Sequence, residues 1–215
     1  MTYATSLHDL APARQAEVLA ALAAVETAAQ PVPETSFRAL QDPALRATLE
    51  QCLGEAGRVL LRVPGGWLSG YDDMIAARVA AEGLGVLPED DRAVLALVMI
   101  HSVAIPRSRG QLTGDSWVDS VPVARKELER SQLSNVRIGA ALTRLRAAGI
   151  LGQGAKGTIR PSHQFLRLTP HVSRILWENL ILLAEPGGVM AQVIRRRRQR
   201  EQSANSPSLA SGEIS

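Results

Sequence analysis

The sequence predicts a mainly α-helical fold with small β-hairpins, and three observations support this class. Aromatic residues make up only 3% of a chain that is 46% hydrophobic. Ala and Leu must therefore supply most of the core, and both favour helices over strands. Several segments carry apolar residues at helical spacing. In each half of the chain, such segments precede two short apolar runs that a Pro- or Gly-rich turn separates.

The first half opens with a predicted amphipathic helix, in which Val18, Leu22 and Val25 share one face. Pro31 and Pro33 break this helix. The predicted elements that follow are a helix from Asp42-Pro43 to about residue 54, strands at 58–63 and 67–71 around a Pro-Gly-Gly turn, and a helix capped by Asp72 or Asp73 that ends at residue 81. The first helix is predicted at residues 12–29.

The segment from Gln132 to Leu151 is the most informative part of the chain. Ser134 is a good N-cap for a helix, and Gly149 can adopt the left-handed conformation that ends one. The apolar face of this helix contains Ile138, Ala141, Leu142 and Leu145. The opposite face is small, polar and cationic, and it contains Val136, Arg137, Ala140, Thr143, Arg144 and Ala147. A DNA recognition helix needs these two faces, one to bury and one that offers Arg.

The segments around this helix extend the pattern. A helix is predicted at 88–104, and another over 121–132, with Ser120 as its cap and Pro122 in its first turn. An apolar run begins at Ile150, the glycine-rich stretch 152–157 forms a turn, and short strands are predicted at 158–160 and 164–168. A helix at 170–182 follows.

In this region the chain resembles the winged helix-turn-helix superfamily, which includes MarR-like bacterial regulators. The resemblance covers residues 90–183. It is carried by Leu133-Ser134, Ala141-Leu142, Leu145-Arg146, Ala148-Gly149-Ile150-Leu151 and Leu166-Arg167-Leu168-Thr169-Pro170. It implies a recognition helix in the DNA major groove and dimerisation through terminal helices, here residues 12–29 and 171–200. Because the first half has the same order of elements, two winged helices in tandem are the alternative to one.

Charge is distributed unevenly, although the formal net charge is only +3. Residues 1–91 contain 6 Arg against 13 Asp and Glu, a net of −7, whereas residues 122–169 contain 9 Lys and Arg against 2 Glu, a net of +7. Clusters of positive charge bind the DNA backbone through counterion release. The sequence therefore predicts a site for double-stranded DNA that consists of Arg125, Lys126, Ser134, Asn135, Arg137, Ala140, Thr143, Arg144, Lys156 and Arg160.

The resemblance implies a role for each part of this site. Asn135, Arg137 and Arg144 would read base edges or flanking phosphates from the recognition helix. Lys156 and Arg160 would contact the backbone or minor groove from the wing, and Arg125 and Lys126 would position the preceding helix.

Two functions of different classes are consistent with these features. The first is a homodimeric bacterial transcription regulator that binds DNA through the winged helix. The alternative is a tandem winged helix accessory subunit of a chromosome-organising or replication complex, which acts mainly through protein contacts. In either case the acidic N-terminal half is the candidate surface for a protein partner.

The sequence predicts no catalytic residues, no metal site and no cofactor, so we expect the protein not to be an enzyme. The four His residues show no metal-ligand spacing, and Cys52 is the only cysteine. The glycines at 152, 154 and 157 match a dinucleotide fingerprint in spacing, but an extended segment follows them rather than a helix. There is no secretory signal and no apolar run of about 18 residues, so we expect a cytoplasmic protein without a membrane partner.

Four regions are predicted along the chain. They are an acidic domain at 1–85, a winged helix DNA-binding domain at 86–183, a basic C-terminal helix at 184–202 and a disordered tail at 203–215. The basic helix contains the run Arg195-Arg-Arg-Arg-Gln-Arg200. This run is interpreted either as a solvated helix end, as an extra phosphate contact or as a contact to an acidic protein surface.

Overall fold

A computed structural model describes residues 5–113 and 117–205. The fold is mainly helical with two small antiparallel hairpins, as the sequence predicts, and its arrangement is that of a winged helix. The first half consists of α1 (Thr5–His8), α2 (Pro12–Thr27), α3 (Arg38–Gln41), α4 (Pro43–Glu55), β1 (Arg58–Val63), β2 (Gly66–Tyr71) and α5 (Asp73–Ala81).

The second half repeats this order and ends with two longer helices. It consists of α6 (Glu89–Met99), α7 (Ile105–Ser108), α8 (Arg125–Leu128), α9 (Asn135–Ala147), β3 (Leu151–Gln153), β4 (Ile159–Pro161), α10 (Pro170–Ala184) and α11 (Val189–Asn205). A π-helical segment, Ile100–Ala104, joins α6 to α7. Short 3-10 turns lie at Glu34–Ser36, Ala155–Gly157 and His163–Arg167.

The two halves share a detail that the order of elements alone does not require. In each half, one residue in a segment between two helices pairs with the second strand of the hairpin. This segment lies between α2 and α3 in the first half and between α7 and α8 in the second. Val32 bridges to Trp67 of β2, and Val123 bridges to Ile159 of β4. Each half therefore forms a unit whose hairpin has a third, single-residue strand, and the first unit as a second winged helix stays a prediction. The exact domain boundaries stay a prediction.

Local sequence signals explain the first unit. Asp42 accepts a bond from the N–H of Ala44 at 2.9 Å and caps α4, and Asp72 caps α5 in the same way. The hairpin pairs Val63 with Gly66 around the turn at Pro64-Gly65. A Cβ at Gly66 would overlap the backbone carbonyl of Val32, so only Gly fits where that bridging segment crosses the hairpin. The core beneath is built mainly from Leu and Val of α2, α3 and α4.

The helix predicted over 121–132 is wrong in its first half. Val123 is extended and exchanges two backbone bonds of 2.8 Å with Ile159, so the helix begins only at Arg125. Ser120 and Pro122 therefore have no role as cap and first-turn residue, and Ala124 stands at the cap position without a side-chain bond. Pairing with the distant strand β4 overrides the local helical preference of this segment.

The strand predicted at 164–168 is also wrong. The hairpin closes earlier, between β3 and β4, and the residues after it form a 3-10 turn. Ser162 accepts a bond from the N–H of Gln164 at 3.1 Å and starts this turn. The first strand is found at Leu151–Gln153 and the second at Ile159–Pro161, one residue later than predicted.

The π-helical segment has a physical cause in Pro106. Proline has no backbone N–H, so the carbonyl of Ser102, four residues earlier, loses its helical partner. That carbonyl instead accepts a bond of 2.9 Å from the N–H of Val121. The predicted helix at 88–104 thus continues to Ser108 through the π-helical segment. The bond between Ser102 and Val121 holds the segment that leads to α8 against it.

The last two helices pack on each other and on the π-helical segment, and they bury Leu180, Ile181 and Ile194. The helix α11 continues through Ser203 to Asn205, so the predicted disordered tail does not begin at 203. The rest of that predicted tail, residues 206–215, lies outside the described residues.

Candidate functional site

The candidate recognition helix α9 has the two faces that the sequence predicts. Ser134 accepts a bond from the N–H of Arg137 at 3.4 Å, and Gly149 has a φ of 68° just past the helix end. Ile138, Ala141, Leu142 and Leu145 are buried, and they pack against α6 in the core of the second unit. The opposite face is exposed, with Val136 82% accessible.

The two arginines predicted to read DNA are both ion-paired with the N-terminus of α6. Arg144 donates from Nε to both carboxylate oxygens of Asp91 at 3.0 Å and from Nη2 to Oδ1 at 2.6 Å. Arg137 donates from Nε to Asp90 Oδ2 at 3.0 Å, and its Nη2 contacts Oδ1 of the same carboxylate. These are bidentate pairs, the geometry in which the guanidinium fork binds a carboxylate most specifically.

The two carboxylates differ in exposure. The side chain of Asp91 is only 3% exposed, whereas that of Asp90 is 26% exposed. Withdrawal of Arg144 would leave a buried carboxylate without its bidentate partner, which is costly in a protein interior. The Arg144–Asp91 pair is therefore harder to open than the Arg137–Asp90 pair.

Sequence reasoning missed Asp90 and Asp91 as site residues, because acidic residues in the first turn of a helix have a sufficient local explanation in the helix dipole. The two pairs join residues 47 and 53 positions apart. The signal that could have found them is complementary charge, with two carboxylates at the start of one predicted helix and two arginines on the polar face of another. Asp90 and Asp91 start the helix that packs beside α9, and Arg137 and Arg144 lie two turns apart on α9.

The ion pairs shift the acid–base properties of their members. The side-chain hydrogen bond from Arg137 lowers the pKa of Asp90 below its ordinary value. The hydrogen bonds that Arg137 and Arg144 donate to Asp90 and Asp91 raise the pKa values of the two arginines. Both arginines are therefore charged at any physiological pH.

We predict that Arg137→Gln returns the pKa of Asp90 toward its ordinary value, because the largest cause of the shift is the hydrogen bond that this change removes. Since the folded-state pKa of Asp90 is depressed, its stabilising contribution is present above the unfolded pKa and is lost as pH falls through the folded value. Carboxyl-carbon NMR titration of the two proteins measures this. An unchanged Asp90 titration would show that the pair does not form in solution.

The remaining predicted site residues differ in their surroundings. Arg125 pairs with Glu129 at 2.9 Å and donates to the carbonyl of Asn135 at 3.3 Å, so it ties α8 to the start of α9. Within residues 5–113 and 117–205, Lys126, Lys156 and Arg160 form no ion pair. The hydroxyl of Thr143 donates to the carbonyl of Gly139 within α9. Asn135, Ala140 and Thr143 are exposed on that helix.

The wing is short, and its turn contains a residue in an uncommon conformation. Lys156 has a φ of 56°, the left-handed region that non-Gly residues seldom occupy. Its side chain is exposed at the tip between β3 and β4, while Arg160 is half-buried on β4. The DNA-binding role of all these residues stays a prediction.

The basic run of α11 is partly neutralised inside the protein. Glu178 of α10 is 2% exposed, and it pairs with Arg197 and with Arg198, the latter at 3.1 Å. Arg174 lies 3.8 Å from the same carboxylate. Arg195 donates to the carbonyl of Pro186 at 2.7 Å. Arg197 and Arg198 therefore anchor α11, and the exposed members without an ion pair among the described residues are Arg195, Arg196 and Arg200.

Arg167 is a further residue whose role the sequence does not reveal. It follows the second hairpin but reaches into the first unit. Its Nη1 donates to the carbonyls of Val25 at 3.0 Å and Ser69 at 2.8 Å, and its Nη2 donates to the carbonyl of Ala28 at 2.7 Å. Burial lowers the pKa of this guanidinium, with a smaller effect from nearby Arg58. Arg167 thus joins the two units.

Among the described residues, no group of three or more His, Cys, Asp or Glu side chains is placed to hold a metal ion. In the same part of the chain, no helix combines the length and apolar character needed to cross a membrane.

Comparisons with known proteins find structural likeness but no match to a sequence family. No family model matches the chain, and no curated protein matches it. The crystal structure of ScpB from Mycobacterium tuberculosis is similar at 22% sequence identity and a TM-score of 0.23, with 74% of this chain and 99% of that chain covered.

Proposed function

We propose that this chain is a tandem winged helix accessory subunit of a chromosome-organising or replication complex, and that it acts mainly through protein contacts. The observation that carries the proposal is the pairing of Arg137 and Arg144 with Asp90 and Asp91. A recognition helix that reads DNA needs free guanidinium groups for phosphates and base edges. Here the same groups are already satisfied by carboxylates of the same fold.

The carboxylates also change the field around α9. Asp90 and Asp91 place negative charge beside the helix face that would approach the phosphates, and a like-charged partner is repelled. A protein partner does not face this repulsion. It can pack on Val136, Ala140 and Thr143, which form an exposed and mostly uncharged patch between the two ion pairs.

The tandem arrangement adds support. The repeat of the bridging strand in both units, and the three bonds from Arg167 across them, describe a two-unit module. The sequence resemblance implies that such tandem modules serve as accessory subunits. The first unit carries a net negative charge, which favours a basic protein surface over DNA as its partner.

The second candidate is a DNA-binding transcription regulator, and one observation favours it. Lys126, Lys156 and Arg160 form no ion pair among the described residues, so they are available to phosphate. Contacts of this kind position a protein on DNA but carry little sequence information directly. They fit weak, sequence-independent binding better than operator recognition.

We expect Arg137→Ala and Arg144→Ala to leave DNA affinity unchanged on random and genomic upstream fragments. Lys156→Ala with Arg160→Ala should weaken any binding on both fragments alike, with the slope of log K against log salt falling by about 0.9 per lost contact. Arg146→Ala is the matched control, because it removes an exposed arginine of the same helix that forms no ion pair among the described residues. Titration across salt concentration measures these effects.

A photo-crosslinking residue at Val136 tests the partner directly, because this large apolar side chain of α9 is 82% exposed. In living cells we expect adducts that survive nuclease and disappear with protease. Nuclease-sensitive adducts would favour the regulator, as would a loss of about 1–3 kcal/mol on one specific sequence in the folded Arg137 or Arg144 variants.

A further inference from the structure

An aromatic groove runs between the first hairpin and the segment that leads into α10. Its volume is about 790 Å³. The chain contains only 7 Trp, Tyr and Phe residues, and three of them line this one groove. The apolar lining is formed by Leu61, Val63, Trp117, Phe165, Leu168 and Trp177. Such a concentration of scarce aromatic residues at one partly open cleft is typical of a binding surface.

The aromatic side chains are held in fixed positions. Trp117 donates from its indole N–H to the hydroxyl of Ser173 at 2.7 Å, and its ring lies 5.3 Å from that of Phe165. The guanidinium of Arg107 lies over the ring of Trp177, 4.9 Å from its centre. A groove whose walls are already ordered loses little side-chain entropy when a ligand binds.

One edge of the groove is an open β-strand. Facing residues of the hairpin alternate between pairs that are hydrogen-bonded to each other and pairs that are not. Trp67 faces Arg62, but its backbone N–H and C=O bond to Val32 on the far side of β2 and not to β1. Leu60 and Arg62 must therefore point their own backbone N–H and C=O groups away from β2. Among the described residues, these groups make no backbone hydrogen bond. A strand edge of this kind is a template for another extended segment.

The charge at the rim favours an acidic occupant. Arg62 lies 3.4 Å from Glu34, but its side chain stays 72% exposed and can meet a second carboxylate. Arg174 lies 3.8 Å from Glu178, a carboxylate that it shares with Arg197 and Arg198, so positive charge is in excess there. Asp119 is the one acidic residue that lines the groove itself among the described residues. An acidic side chain that enters beside Arg62 or Arg174 would gain a charge-assisted contact. A nucleic acid could use the arginines but has no means to pair with a strand edge.

We propose that this groove binds an extended, acidic segment of a partner protein. The segment adds a strand to the free edge of β1, places an apolar side chain between Trp177 and Phe165, and offers a carboxylate to Arg62 or Arg174. This is strand addition, in which main-chain bonds give affinity and pockets for alternate side chains give specificity. The inference deepens the proposed function, because it names the kind of partner segment that such a subunit would hold.

A displayed library of random 12-residue peptides, selected on the full chain, tests the proposal. We expect enriched peptides with alternating apolar residues and at least one Asp or Glu. Their binding should fall about tenfold when alternate peptide N–H groups are methylated, since each lost hydrogen bond contributes up to that factor. Amide hydrogen exchange at Leu60 and Arg62 should slow when peptide is bound.

Two variants of Arg62 test separately whether binding depends on its backbone N–H or on its side-chain charge. Arg62→Pro removes the outward N–H, and proline is tolerated where a strand N–H faces solvent, so we expect the fold to persist and binding to fall at least about tenfold. Arg62→Ala keeps the edge and should lose only the preference for acidic peptides. The methylated peptides keep the test decisive if Arg62→Pro does not fold.

The proposal is overturned if no peptide is enriched, if the peptides bind equally well after methylation, or if they protect residues of α9 instead of β1. Dimers that form through β1 of two copies would overturn it as well. Apart from protection of α9, these results do not bear on the face of α9, on which the crosslinks from Val136 report. An experiment that overturns peptide binding in the groove can therefore be distinguished from one that overturns the proposed function.

Discussion

Arg167→Ala is expected to lower the free energy of unfolding by about 2–4 kcal/mol, since hydrogen bonds from charged donors contribute more than neutral ones and the abandoned carbonyls lose their partners. The side chain donates to Val25, Ala28 and Ser69, which belong to the first unit. The loss should therefore fall mainly on the packing between the units. Urea denaturation followed by tryptophan fluorescence measures it.

Two further variants decide whether the bonds themselves matter. Arg167→Lys keeps the charge but cannot reproduce the planar fork that holds three carbonyls, so it should recover less than half of the loss. Arg160→Ala removes a half-buried arginine of the adjacent strand and should change stability by less than about 0.5 kcal/mol. An Arg167→Ala protein as stable as the parent would show that the two units do not depend on this contact.

Sequence-local features of the fold are predictable because their causes lie within a few residues. Asp72 and Ser134 cap helices through bonds to N–H groups two or three positions away. Gly149 ends α9 because a positive φ is easy for glycine. The apolar face of α9 follows from helical spacing alone, and the structure confirms it.

The errors all involve partners far along the chain. Val123 is extended because Ile159 pairs with it, and residues 164–168 form a turn that delivers Arg167 to carbonyls in the first unit. No local pattern contains that information. The same holds for the site. Arg137 and Arg144 are correctly predicted on an exposed face. Their acidic partners, Asp90 and Asp91, lie on another helix, 47 and 53 residues earlier in the chain.

This difference bears directly on function. Clustered positive charge in a sequence favours a nucleic acid partner, and a net charge of +7 over residues 122–169 made that inference reasonable. The fold then brings Asp90 and Asp91, which lie outside that range, beside the arginines. Charge counted along a chain is therefore a weaker guide than charge counted on a folded surface.

Gly70→Ala is expected to destabilise the protein by about 3 kcal/mol, at the upper end of the cost of overpacking a well-filled site. A Cβ at this position of β2 would overlap the backbone carbonyl oxygen of Arg167 and would lie 2.7 Å from Leu61 Cδ1. A flexible side chain could move aside, but a carbonyl in the backbone moves only if the turn His163–Arg167 withdraws. That withdrawal would also break the bonds from Arg167.

Gly54→Ala is the matched control, because Gly54 lies in α4 and a Cβ there would meet nothing within 4 Å. This change should raise stability by roughly 0.5–1 kcal/mol, since alanine loses less backbone entropy than glycine in a helix. The double variant of Gly70→Ala with Arg167→Ala should lose less than the two single losses together, because both changes open one interface. Fully additive losses in urea denaturation would mean that Gly70 and Arg167 act at separate places, and that the two units are not joined where their backbones meet.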